Sequence, residues 1–273
     1  MYLQETNLKA LELLARFKYL STSQFIKLGL ASSQPAVSRI LQRFFKAKKE
    51  KDESEAKLIK SPLINKLTFP LDPKRGKLEN LYCLNKRGAT VLSEYLDKNI
   101  NEIEYLKGNT FFAKDYAHRV TQIDYYIQLY LNSVEHNYSI DFFHSYYDKQ
   151  GANRSNTSQT LEARTKLYYA DGSYYIPDAI YKTTETISDG SQQEFYYVLE
   201  IHKNHDSKRA IETIEKNIKA LDEYSLQKKY NYEYAHKVIV VFDTQTARDA
   251  VFRRFEKIDY YLEFGKLFEL IIK

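Results

Sequence analysis

Val37, Ile40, Leu41, Phe44 and Phe45 recur at i, i+3, i+4, i+7 and i+8, while Gln34, Ser38, Arg39, Gln42 and Arg43 fall between or beside them. That spacing predicts a helix with one buried stripe and one polar face. Leu8, Leu11, Leu14 and Phe17 keep the same period upstream and predict a first helix over residues 5–19. Ser21 followed by Gln24 has the form of a capping box and opens a second helix. In Leu28-Gly29-Leu30-Ala31-Ser32 a glycine stands where that helix ends, and Ser33 with Pro35 supplies a cap and a first-turn proline for the third. Residues 21–47 therefore have the pattern of a helix-turn-helix whose last helix leaves amide and guanidinium groups facing outward.

Downstream the pattern becomes strand-like over residues 58–69 and 78–84, around the turn-rich segment Pro70 to Lys77. A hairpin after three helices predicts a winged helix, with Lys74, Arg75 and Lys77 on the wing. The charge run 46–57 between helix and hairpin is too polar to pack and reads as a solvated loop. The first domain is expected over residues 1–96, a linker over 97–112 and a second domain over 113–273. In that second domain the patterns predict helices at 114–131, 208–224 and 246–258. Strands are expected at 138–147, 165–169, 174–181, 195–201 and 237–242. The expected class is α+β: an N-terminal winged helix-turn-helix followed by an α/β domain. This order differs from a doubly wound dinucleotide fold, and no glycine-rich phosphate loop follows any strand among only 8 glycines.

Charge sharpens the division. Residues 1–95 carry 18 Lys and Arg against 9 Asp and Glu, a net +9, whereas the remainder carries 23 against 27, a net −4. A basic head on a mildly acidic body suits a module that meets phosphates before reading bases. The candidate base-reading residues are Gln34, Ser38, Arg39, Gln42 and Arg43, with Lys74, Arg75 and Lys77 reaching the backbone or the minor groove. Neither a signal peptide nor an apolar run long enough to span a membrane is recognised, so a cytoplasmic location is expected. The single cysteine, Cys83, excludes an internal disulfide and a cysteine-rich zinc site and is expected to be buried. The 25 tyrosines, many in adjacent pairs, suggest strands with one ring facing the core and its neighbour the other side.

One carboxylate arrangement carries chemistry. Asp178, in Ile176-Pro177-Asp178, and Glu200, in Val198-Leu199-Glu200-Ile201-His202-Lys203, are expected on adjacent strands with apolar flanks. Two carboxylates in such surroundings call for a compensating charge, and Mg²⁺ or Mn²⁺ bound through hard oxygens would supply it. Pro177-Asp178 and Glu200-Ile201-His202-Lys203, about twenty residues apart, resemble the PD-(D/E)xK motif of restriction-endonuclease-like domains. His202 occupies the position where that motif has lysine, and Lys203 falls one place late, so its side chain is expected on the opposite strand face.

Together with the basic head, Ala117-His118-Arg119-Val120 and the helix before Val238-Ile239-Val240-Val241-Phe242, the chain resembles the replication-relaxation family and the MobC-type mobilisation relaxases. The resemblance implies a protein of a plasmid or mobile element that recognises double-stranded DNA at an origin. It implies metal-dependent nicking there by Asp178, Glu200 and His202 or Lys203, with His118 as a further candidate catalytic group. The alternative is a non-enzymatic regulator or accessory protein whose nuclease-like domain mediates dimerisation or recruits mobilisation or replication proteins.

Overall fold

The computed structural model describes residues 4–45, 62–73, 76–105, 115–150, 162–203, 207–258 and 261–273. The charge run 46–57, the wing cations Lys74 and Arg75, and residues 106–112 of the expected linker lie outside them. The chain is a mixed α+β protein that folds as two compact units, Met1–Gln128 and Leu129–Lys273.

In the first unit α1 (Glu5–Phe17) is followed by β1 (Leu20–Ser21), α2 (Thr22–Lys27) and α3 (Gln34–Gln42). α1 buries Leu11, Leu14 and Phe17. The capping box at α2 forms as its sequence suggests: Ser21 Oγ accepts from the Gln24 amide at 3.2 Å and Gln24 Oε1 from the Ser21 amide at 2.9 Å. The turn then passes through Gly29 at φ +69°, a left-handed conformation that favours glycine. Two details of α3 differ from expectation. Ser33 makes no side-chain capping bond, leaving Pro35 in the first turn as the start signal. The helix also ends at Gln42, so Val37, Leu41 and Phe44 are buried while Phe45 escapes the stripe and is 37% exposed.

β2 (Ile64–Leu67) and β5 (Leu81–Leu84) pair antiparallel, and β1 joins the other side of β5 to give the order β1-β5-β2. Pro70, which has no amide to donate, follows β2, and the connection folds into the small hairpin β3 (Leu71–Asp72) and β4 (Gly76–Lys77). Cys83 is fully buried in β5, and burial raises its thiol pKa to about 12. α4 (Lys86–Leu96) is capped by Asn85, whose side chain accepts from the Gly88 amide at 2.9 Å. The first half of α5 (Tyr116–His136) also belongs to this unit: Tyr126 packs on Phe17, and Asp124 accepts from Gln24 and Lys27.

The second unit is built on a five-stranded sheet. β6 (Tyr138–Ser145), β11 (Ala179–Thr186) and β12 (Gln192–His202) run antiparallel, then β13 (Lys237–Phe242) and β14 (Phe268–Ile272) continue parallel to β12, in the order β14-β13-β12-β11-β6. Short pairs flank it: β7 (Lys149–Gln150) with β8 (Glu162–Ala163), and β9 (Leu167–Tyr168) with β10 (Tyr174–Tyr175). α6 (Ser207–Asp222) and α7 (Ser225–Tyr230) connect β12 to β13, while α8 (Gln245–Phe255) and the one-turn α9 (Tyr261–Phe264) connect β13 to β14. Ile214, Ile218, Val251 and Phe255 from these helices bury one sheet face with Ile180, Val198, Val240 and Phe242. The expected single strand 174–181 is divided: β10 ends before Pro177 and β11 starts after it. The tyrosine pairs alternate as expected, with Tyr168 at 49% against Tyr169 at 9% and Tyr174 at 56% against Tyr175 at 8% exposure. Among the described residues no helix is long and apolar enough to cross a membrane.

Gly88 is a test of how α4 sits in the first unit. A Cβ there would meet the Leu63 carbonyl oxygen at 2.1 Å and Leu84 Cδ1 at 2.7 Å. Gly88→Ala is expected to destabilise the protein by at least about 2 kcal/mol through forced separation of α4 from β2 and β5, measurable by urea unfolding.

Candidate functional site

The first candidate surface is the outward side of α3. Gln34, Arg39, Gln42 and Arg43 are exposed and Ser38 is half-buried. Gln34, Ser38 and Gln42 line a cleft of about 270 Å³ that continues onto Lys66 of β2, Asn80 and Tyr82 of β5. Its apolar part is formed by Leu41, Phe45 and Tyr82, the last two with ring centroids 6.3 Å apart. Amide, hydroxyl and ammonium groups thus stand around an aromatic patch, a set able to hydrogen-bond base edges and touch a thymine methyl.

Several of these groups have neighbours that the sequence does not announce. Gln34 Nε2 donates to Ser23 Oγ at 3.2 Å and to Glu79 Oε1 at 3.1 Å, which holds the start of α3 against an acid from the sheet side. Arg39 Nε reaches the Pro35 carbonyl at 3.4 Å, and Arg43 donates to Gln4 Oε1 at 2.6 Å. Lys77, on β4, is exposed.

The second candidate site lies in the other unit. Asp178 is half-buried immediately before β11. Its carbonyl accepts from the Tyr146 amide at 2.9 Å, and the preceding Pro177 carbonyl accepts from Thr165 Oγ1 at the same distance. Ala179 pairs with Leu199, so continuing the register sets Asp178 opposite Glu200. Its carboxylate Oδ2 accepts the Ile201 amide at 2.8 Å and closes the end of the ladder. The two acidic residues thus stand opposite each other at the ends of neighbouring strands, as the sequence suggests.

Glu200 sits in β12 at 5% exposure, on the face covered by α6. Its Oε1 accepts from the Tyr175 hydroxyl and, at 3.5 Å, from Asn217 Nδ2. Asn217 also donates to Tyr175 Oη at 2.9 Å and to the Thr213 carbonyl at 3.0 Å, while its buried amide oxygen has no hydrogen-bond partner among the described residues. Burial raises the Glu200 carboxyl pKa to about 8, against a smaller lowering by Asn217 and then Lys216. Its neutral form is thereby favoured. Tyr175 and Asn217 were not singled out as functional in the sequence. Asn217 was visible as a lone amide on the stripe Ile214, Ile218, Leu221, and Tyr175 is the core-facing member of its pair.

His202 shares the strand face of Glu200 by alternation and stacks on Phe242 at 5.8 Å, while Lys203 follows the strand end and is half-buried. His118 is half-buried on α5 and belongs to the first unit, whereas Asp178 and Glu200 belong to the second.

Both carboxyl groups already have partners within the protein: Glu200 Oε1 accepts from Tyr175 and Asn217, burial favours its neutral form, and Asp178 Oδ2 accepts a backbone amide. Among the described residues no group of three or more His, Cys, Asp or Glu side chains is placed to hold a metal. No protein-family model, curated protein or solved structure matches this chain.

The raised pKa has a thermodynamic consequence with a definite sign. Glu200 takes up its proton more readily folded than unfolded, so its contribution is full below about pH 4.5 and is lost as pH rises toward about 8. Glu200→Gln, which keeps the shape without the charge, should remove a slope approaching about 1.4 kcal/mol per pH unit within that window. Urea titrations of both proteins from pH 5 to pH 9, over roughly the range of that linkage, should show the variant gaining stability relative to the parent as pH rises. Parallel pH profiles would show that Glu200 does not titrate in this way.

Proposed function

We propose that this protein binds double-stranded DNA through the outward face of α3, and that its second unit is a nuclease-like scaffold that does not cut. The observation that carries the reading is the cleft on α3: Gln34, Ser38 and Gln42 border it with Lys66 and Asn80, and the +9 head surrounds it in sequence. The order of three helices and a three-stranded antiparallel sheet, with the β3–β4 hairpin between β2 and β5, supports a winged helix. In this reading α3 enters the major groove and Lys77 contacts the flanking backbone. Lys74 and Arg75 remain candidates for that contact, as the sequence suggests.

In the second unit, a helix followed by three antiparallel strands, a crossover helix and a parallel strand supports a PD-(D/E)xK-like scaffold. The neutral, enclosed Glu200 favours binding over cleavage. The resemblance to replication-relaxation and mobilisation proteins makes a plasmid or mobile-element origin the natural duplex to try.

Selection of a duplex from a random pool, followed by binding across salt concentrations, tests the reading. Arg39→Ala and Gln42→Ala should each weaken binding to the selected duplex by about 1–3 kcal/mol while changing binding to random duplex little. Lys77→Ala should weaken both alike and lower the salt slope by about 0.9. Absence of salt-dependent duplex binding, or variants indistinguishable from the parent, would overturn the assignment to α3. Supercoiled plasmid incubated with Mn²⁺ should remain closed; open circles that require both metal and Glu200 would overturn the non-cleaving half.

A further inference from the structure

The last strand of the sheet, β14, pairs with β13 on one side, and among the described residues no strand pairs with its other edge. Its backbone polarity can be assigned. The Lys273 amide donates to the Phe242 carbonyl at 2.9 Å, directing the backbone groups of residues 269, 271 and 273 toward β13. Alternation then directs those of Phe268, Leu270 and Ile272 toward the open edge.

The sequence of that edge is self-complementary. In Glu269-Leu270-Ile271-Ile272-Lys273 an acid and a base stand symmetrically about Ile271. We propose that two copies of this chain join antiparallel through β14, with the two-fold axis at Ile271. In that register Leu270 and Ile272 of one copy exchange backbone hydrogen bonds with Ile272 and Leu270 of the other. Glu269 faces Lys273 of the second copy at both ends. Sliding the register so that Glu269 meets Glu269 places like charges opposite each other, and centring it on Leu270 sets Glu269 against Ile271. Charge complementarity therefore selects one register.

Ile272, on the strand itself, is 39% exposed and adds apolar surface for the same occupant to cover. An edge strand with unpaired backbone groups is a template for pairing with another chain. A second copy covers the open backbone groups of β14 under one symmetric contact.

Sedimentation of the full chain without DNA tests this pairing separately from duplex recognition. The parent should show a concentration-dependent dimer. Glu269→Lys places lysine opposite lysine twice and should raise the dissociation constant about tenfold. Adding Lys273→Glu to that variant restores opposite charges in swapped order and should recover the parent value. Hydrogen exchange should show the Leu270 and Ile272 amides gaining protection with concentration. A parent that stays monomeric at all accessible concentrations overturns the proposal. So does a dimer whose strength ignores both substitutions, or one that leaves those two amides exchanging freely.

Discussion

The ladder between β11 and β12 is the constraint on which the second unit depends. It runs without a register break from Ala179 opposite Leu199 to Thr186 opposite Gln192. Because strand side chains alternate, this register decides which residues meet α6 and which meet the other face. Ile180 and Val198 go to the helices, Tyr181 and Tyr197 stack on the opposite side at 4.7 Å, and Asp178 with Glu200 come together where the ladder ends. A slip by one residue would send Glu200 to the opposite face and remove its contacts with Asn217 and Tyr175. The same register sets the parallel pairing of β12 with β13, and through it the position of β14.

The first unit works from a different constraint, the division of α3 into two faces. Val37 and Leu41 close the core against α1, α2 and the sheet, which leaves Gln34, Ser38 and Gln42 no place but the surface. Glu79 is an instructive neighbour. It accepts from both Ser23 and Gln34, and so holds in place the polar side chain at the start of α3.

Helices and buried strands were legible in the sequence because their periods are strong. The capping box at Ser21 and Gln24, the apolar runs in β12 and β13, and the alternating tyrosine pairs all act within a few residues. β14 was not anticipated: Phe268 to Ile272 is short, nearly all apolar, and gains its strand identity from pairing with β13 rather than from alternation. The strand expected across Pro177 fails for a local reason, since proline interrupts the ladder and makes room for Asp178. At the site, the adjacency of Asp178 and Glu200 was readable from spacing, but the state of Glu200 was not. Tyr175 and Asn217 arrive from β10 and α6, and only tertiary structure brings them to one carboxyl.

The Glu200 carboxyl shows how burial reshapes the chemistry of a charged side chain. An ionised carboxylate enclosed among Val198, Ile214 and Ile218 lacks the solvation that keeps it charged in water, whereas a neutral carboxyl is no more demanding than a buried amide. Tyr175 and Asn217 supply polar partners but no positive charge, so they lower the cost of burial without favouring ionisation enough to reverse it. Hard-metal coordination asks for the opposite balance: an ionised oxygen with a path to the ion. Tyr175 and Asn217 both donate to the same oxygen, Oε1, of Glu200. In the arrangement observed, this polar cluster ties β10, β12 and α6 together within the core of the second unit.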